Sequence, residues 1–233
     1  MRILLFLTGC INPNGMSQTL LQDKDVRKNQ YIQAIKYYLE KTDKRILFVE
    51  NSGEDISPYF ENINSNRLEI ISFVGNSEKN RGKGYGEMSI IEYALLKSKF
   101  LEESDFIFKI TGRYKILNIN TFFKQVNKKK ELDVLAVLYK NLESADSRMF
   151  VCKVDFLTSL VKQKEMLDDA KGLFFENVLS KTILTFIVSN KKFSEFISKP
   201  RYGGIMGTNQ QSYNTNIIWL VKNIKQKIRY YLN

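Results

Sequence analysis

Hydrophobic residues in this chain fall into short unbroken runs set between polar, glycine-marked turns. Residues 2–8 are almost continuously apolar, residues 45–50 read R-I-L-F-V-E, and 68–74 and 105–110 give two further runs. A run without polar alternation is the pattern of a strand buried on both faces, as in a parallel sheet. Between the runs the period changes. Residues 27–41 set Tyr31, Ile35, Tyr38 and Leu39 on one helical face and lysines on the other, and residues 88–101 gather Ile91, Leu95 and Leu96 on one side. Both segments predict amphipathic helices. The order strand–helix–strand–strand–helix–strand predicts an α/β sheet with a parallel core. Beyond it the pattern predicts a helix at 119–127, strands at 132–139 and 149–154, helices at 156–164 and 175–189, a loop at 200–213 and a closing helix at 215–232.

Glycines and basic residues add chemistry at the strand ends. Residues 80–87 read N-R-G-K-G-Y-G-E ahead of the second helix, and the fourth strand ends F-K-I-T-G-R-Y at 108–114. Glycines let backbone N–H groups approach an anion, and a helix N-terminus favours negative charge. In βαβ folds ligands bind at the carboxyl ends of strands. Together these features predict a phosphate-bearing ligand, in particular a nucleotide. Lys83, Gly84 and Tyr85 are candidates to contact it, although the glycine spacing matches neither a P-loop nor a dinucleotide fingerprint.

Within F-K-I-T-G-R-Y, a period of two puts Lys109, Thr111 and Arg113 on one side, and with Tyr114 they are candidates to hold a diphosphate leaving group. A lysine inside an apolar strand is hard to explain by packing. Thr8 and Gly9 end the first strand, where a base or ribose would lie. Arg27 either reaches a phosphate or serves the local turn, with Asp25 as the helix cap. Glu50 and Asn51 end the second strand, where such side chains contact ribose or base edges but also build Asn-Ser-Gly turns.

The chain has 233 residues, of which 43% are hydrophobic and three are proline. That suits one large domain, with no linker or repeat visible. Lys and Arg number 36 against 25 acids, for a net charge of +11. Such a balance suits nucleic acid, an anionic membrane surface or a phosphorylated substrate, or simply a lysine-rich surface. Histidine is absent, so a general base must be Asp, Glu, Tyr or Lys, and Ser-His or Cys-His schemes drop out. Cys10 and Cys152 lie in apolar, strand-like runs and read as buried thiols of a reducing compartment. The opening M-R-I-L-L-F-L-T-G-C-I has the look of a signal-peptide core without its cleavage pattern, and is read as a buried strand. No run reaches the ~18 apolar residues of a transmembrane helix.

Four patches occur in order: L-T-G-C-I-N-P with D-x-x-x-R-x-x-Q-Y, then N-R-G-K-G-Y-G-E, F-K-I-T-G-R-Y and P-R-Y-G-G-I-M-G-T. They span most of the chain, which resembles the bacterial GT-A-type glycosyltransferases of capsule and O-antigen (lipopolysaccharide) synthesis. The resemblance implies a Rossmann-type mixed, mostly parallel sheet flanked by helices. It also implies a nucleotide-sugar half at 1–115, an acceptor half at 116–213 and a basic helix at 214–233. The implied activity moves a sugar from a nucleotide-sugar donor to a saccharide or polyprenyl-linked acceptor.

Most such enzymes carry an Asp-x-Asp for a divalent metal where this chain has T-G-R-Y. The expectation is therefore that Lys109 and Arg113 supply the charge and that no cofactor is needed, with Mg2+ or Mn2+ on acids from elsewhere as the alternative. For an inverting reaction Glu176, at a helix start in G-L-F-F-E-N-V-L, is the candidate base. Asp168 and Asp169 compete with it but read as an exposed, solvated pair. A retaining reaction requires no base of this kind. Arg148 and Arg201 are further candidates for phosphate or acceptor contact.

In the tail, Ile217, Leu220, Val221, Ile224, Ile228 and Tyr231 form a stripe beside Lys222, Lys225, Lys227 and Arg229. This helix suits an anionic cytoplasmic leaflet, and equally suits docking on the core with a solvated lysine face. The expected location is cytoplasmic, peripheral on the inner face of the plasma membrane. Two other function classes compete. A non-catalytic nucleotide- or nucleic-acid-binding module is compatible with the charge, but no RNA-binding signature is present and nucleic acid is not the expected partner. A nucleotidyl- or phospho-transfer enzyme would want paired carboxylates at the strand ends, and the sequence shows no convincing pair.

Overall fold

The apolar runs become neighbouring strands: β1 (Ile3–Gly9), β2 (Arg45–Glu50), β3 (Leu68–Ser72) and β4 (Phe106–Thr111). These come from a computed structural model that describes residues 1–16, 19–75, 77–139, 141–203 and 216–232. β1 pairs in parallel with both β2 and β4, and β2 in parallel with β3. A two-residue strand β5 (Lys115–Ile116) follows, then β6 (Val134–Leu135), β7 (Met149–Cys152) and β8 (Phe193–Ser194). The main sheet runs β3-β2-β1-β4-β7-β6-β8. β7 is antiparallel to β4 and β6, and β8 is parallel to β6. This is the mixed, mostly parallel sheet expected of the chain. A small second sheet pairs β5 with β9 (Tyr202–Gly203).

Helices cover both faces. α1 (Lys24–Lys41), α2 (Lys83–Lys97) and the single turn α3 (Lys99–Glu102) come first, then α4 (Ile119–Lys128), α5 (Val154–Val161), α6 (Phe175–Val188) and the closing α7 (Asn216–Leu232). The side-chain period of two splits β1 between two cores. Leu5 and Leu7 meet Tyr31, Tyr38 and Phe122 of α1 and α4, while Leu4 and Phe6 meet Met88, Phe156 and Leu179 of α2, α5 and α6. Burying a leucine or phenylalanine completely contributes about 1.5–3 kcal/mol, so the unbroken runs are the main source of cohesion.

Several boundaries differ from the pattern. α1 is capped by Asp23, which accepts from the Val26 N–H at 2.9 Å; Asp25 lies in the first turn and pairs with Lys28 at 3.0 Å. The glycine segment is helical from Lys83 onward, so Gly84 and Gly86 lie in the first turn of α2 and not in a loop. Leu96 faces solvent, and Met88, Ile90, Ile91 and Ala94 form the core face of α2. The strand expected at 132–139 contracts to β6, because beyond it Leu138 meets only Ala145 in an isolated bridge. β5, β8 and β9 were not expected; two-residue strands carry no periodic signal and form only because their partners are nearby. Of the P-R-Y-G-G-I-M-G-T patch only Pro200 to Gly203 fall within the described residues. The rest of that expected loop, and the start of the closing helix at 215, lie outside them.

Candidate active site

A cavity of about 320 Å3 opens at the carboxyl ends of β1 and β4. Its wall takes Thr8, Gly9 and Cys10 from the end of β1, Asn51 from the end of β2, and Lys83, Gly84 and Glu87 from α2. Thr111, Arg113 and Tyr114 come from the end of β4, Asp146, Ser147 and Arg148 from the approach to β7, and Glu176 from the start of α6. Arg27 and Asp169 complete the lining that bears on function. Gly112 lets the two central strand ends close up. Its N–H donates to the Thr8 carbonyl at 2.8 Å, and a Cβ there would stand 2.7 Å from the same oxygen.

Beneath this floor lies Lys109, ion-paired with Glu87 of the wall. The Lys109 side chain is 0% exposed, and its ammonium pairs with Glu87 and donates to the Ser147 carbonyl at 2.8 Å. The rings of Phe175 and Phe150 flank it at 5.3 and 5.6 Å. Glu87 also accepts from the Thr8 hydroxyl at 2.9 Å. Lys109 therefore does not line the cavity beside Arg113; its charge is compensated one layer below. Arg113 does line it. Its guanidinium donates to Gln30 at 3.1 Å, and its Nε is buried with no hydrogen-bond partner. Asn51 is similar: its amide donates to the Gly86 carbonyl at 3.2 Å, and its buried carbonyl oxygen has no partner. Unsatisfied buried polar atoms are costly, and this wall carries one unpaired acceptor, on Asn51, and one unpaired donor, on Arg113.

Other expected residues are engaged by the protein itself. Arg27 is buried and donates to the Cys10 carbonyl from Nε at 2.9 Å and to the Leu21 carbonyl at 3.2 Å, so it braces the first loop while still lining the cavity. Glu50 lies off the cavity. It is fully buried and accepts from the N–H groups of Ile11 and Glu54 at 3.0 and 2.9 Å and from the Ser72 hydroxyl at 3.1 Å. Tyr85 points away from the cavity, with the Arg81 guanidinium 4.1 Å over its ring. Arg201 lies against Trp219 at 5.4 Å and does not line the cavity.

Two acids came to the site without a clear sequence signal. Asp169, read as solvated, is only 5% exposed and lines the cavity, whereas Asp168 caps its own turn through the Ala170 N–H. Asp169 packs onto the start of α2. Gly82 has φ +89°, and a Cβ there would stand 2.2 Å from its carboxylate, so these glycines admit a carboxylate of the protein itself. Burial raises the Asp169 carboxyl above the usual range, against the lowering effects of the Gly84 N–H and Lys83. Asp146 is also buried, and both its oxygens accept from Arg148, at 2.8 and 2.6 Å. The one sequence hint was D-S-R directly before a strand. Glu176 is half-buried and accepts from the Ser147 hydroxyl at 2.6 Å.

These carboxylates do not form a convergent ligand set. Glu87, Asp146, Asp169 and Glu176 each already hold a partner, and among the described residues no group of three or more acidic or thiol side chains is disposed to hold a metal ion. No step below is routed through a divalent cation.

No family model matches the chain, and no curated protein matches it. Solved structures share its fold. A candidate nucleotide-diphospho-sugar transferase from Desulfovibrio desulfuricans G20 superposes with a TM-score of 0.51 at 11% identity, covering 84% of this chain and 80% of that one. The Staphylococcus aureus protein TarS (residues 1–349), in complex with UDP, gives 0.50 at 14% identity, covering 88% of this chain and 61% of that one. At such identities the likeness establishes the architecture, a mixed α/β sheet of the GT-A-like kind.

Proposed function

We propose that this protein is a glycosyltransferase that moves a sugar from a nucleotide-sugar to a saccharide or lipid-linked acceptor in bacterial surface polysaccharide synthesis. The observation that carries this reading is one cavity, at the strand ends of a GT-A-like sheet, that brings basic Lys83, Arg113 and Arg148 together with the Glu176 carboxylate. The fold shared with a candidate nucleotide-diphospho-sugar transferase and with a UDP-bound protein adds support. A cytoplasmic location beside a membrane, where polyprenyl-linked acceptors reside, belongs to the same proposal.

In this reading the nucleoside lies along Thr8, Gly9 and Asn51, whose free carbonyl oxygen accepts from a base or ribose. Arg113 and Lys83 hold the diphosphate. Thr111 and Tyr114 form the wall beside it. Glu176 takes the proton from the acceptor hydroxyl. The acceptor oxygen bonds to the anomeric carbon as the bond from that carbon to the diphosphate oxygen breaks, and the leaving nucleoside diphosphate keeps the electron pair. Lys109 is a positioning residue: it holds the carbonyl of Ser147, whose hydroxyl orients Glu176.

The test is a thermal-shift screen with UDP, GDP, CMP, dTDP and their sugar conjugates, each with and without Mg2+ or Mn2+, followed by turnover assays with the donor that binds. A ligand that binds only the native state raises the melting temperature by mass action. A nucleotide-selective shift without metal supports the reading and names the donor. A shift that requires metal would move the diphosphate from Arg113 and Lys83 alone onto an acid-bound ion. No shift with any nucleotide would overturn the reading.

A further inference from the structure

The closing helix α7 is attached by the side that amphipathic helices normally leave in water. Asn223 is 6% exposed and accepts from the Ser198 hydroxyl at 2.7 Å and the Lys199 N–H at 2.9 Å. Gln226 donates to the Phe196 carbonyl at 2.8 Å and Trp219 to the Lys199 carbonyl at 3.2 Å. At 100° per residue, positions 219, 223, 226 and 230 share one side. The opposite side carries Ile217, Leu220, Val221, Ile224, Ile228 and Tyr231, all between 49% and 75% exposed. A soluble helix buries that stripe against its own core.

Charge says what covers it. The same helical wheel sets Lys225 on one edge of the stripe and Lys227 on the other, with Lys222 beyond, and 216–232 contains no acid. A second copy docked stripe to stripe would bring these lysines against one another. Anionic headgroups complement them, and lysine stems extend along an apolar surface while their ammonium groups stay in water. α7 is also shorter in apolar character than a span requires: no described helix is long and apolar enough to cross a membrane.

We propose that α7 lies flat on an anionic lipid bilayer, with its Ile/Leu stripe in the acyl boundary and Asn223, Gln226 and Trp219 holding the rest of the protein to it. The segment that α7 holds packs against the back of the cavity wall. Trp219 touches Lys199 and Arg201, and three residues after Lys199 Tyr202 stacks beneath Arg148 at 4.3 Å and beside Tyr114 at 5.8 Å. The docked helix therefore holds the acceptor side of the cavity next to the bilayer; this last point rests on the glycosyltransferase reading, and lipid binding itself does not.

The test is co-sedimentation of the full chain with vesicles of phosphatidylcholine alone and of phosphatidylcholine with phosphatidylglycerol, with light scattering of the lipid-free protein. Binding to the anionic vesicles only is expected. Ile224→Glu/Ile228→Glu should abolish it without lowering the melting temperature, since both side chains face solvent. Lys225→Gln/Lys227→Gln should weaken it about thirtyfold, from about 1 kcal/mol per basic residue. Binding unchanged by either double variant would overturn the proposal. So would a stable lipid-free dimer that Ile224→Glu/Ile228→Glu dissociates, because the stripe would then belong to a second copy. Vesicle binding with no nucleotide-dependent thermal shift would leave α7 as a lipid anchor and remove only the glycosyltransferase reading.

Discussion

Glu87→Gln should damage this protein more than Lys109→Met, although both break the same ion pair. Lys109 is 0% exposed and Glu87 is 21% exposed. Removing the carboxylate strands an ammonium between two phenylalanine rings, with the Ser147 carbonyl as its remaining strong acceptor. Removing the lysine leaves a carboxylate that still accepts from the Thr8 hydroxyl and reaches water. Breaking a buried pair from one side costs about 3–5 kcal/mol. The full range applies to Glu87→Gln, and about half of it to Lys109→Met because solvent partly replaces the lost partner.

At about 2–4 °C per kcal/mol for a chain of this size, Glu87→Gln should lower the melting temperature by about 6–20 °C. The double variant should be more stable than Glu87→Gln alone, because neither charge is left unpaired. Calorimetry or circular dichroism on the four proteins of this cycle measures the coupling. Equal costs for the two single variants, or a double variant that simply sums them, would refute the claim that the Lys109 ammonium sits in a low-dielectric layer under the cavity.

Further outcomes test the site. Arg113→Ala should abolish turnover with an unchanged melting profile, and a wild-type rate would remove it from the diphosphate site. Glu176→Gln should lower kcat far more than donor affinity in calorimetric titration; an unaffected kcat would remove it as base. Gly82→Ala should cost about 1–3 kcal/mol, since its φ of +89° and the adjacent Asp169 carboxylate both exclude a Cβ, and denaturant titration reads this directly. Burial raises the Cys10 thiol to about 11, with Arg27 and Arg113 opposing and Glu50 adding to the shift. Iodoacetamide should therefore label Cys10 slowly at pH 8 and faster as pH rises toward that value, and a bound nucleotide should protect it.

Asp169 has its carboxyl raised by burial in the folded state. Its charge thus opposes folding above the raised value, and that penalty disappears below the ordinary carboxylate range. Asp169→Asn should stabilise the protein at neutral pH and lose the advantage in acid, as melting curves across pH would show.

The four apolar runs and the helices between them were legible because a strand buried on both faces and an amphipathic helix each write their period into a short window of residues. The strand-end positions of Thr8, Asn51, Thr111 and Arg113 follow from those periods, and all four line the cavity. Which charges are free was not legible. Lys109 and Arg113 looked equivalent along the chain, yet one is cancelled by Glu87 of the preceding helix and the other lines the cavity with an unpaired Nε. Glycines that suggested a phosphate cradle instead admit Asp169, and an acid judged solvated became part of the wall. The tail announced its amphipathicity but not its orientation, which was decided by Asn223 and Gln226 finding partners on the body. Backbone periodicity acts within a few residues, so sequence reports it. The pairing and desolvation of charges depend on segments far apart in the chain, and only the tertiary structure determines which of them meet.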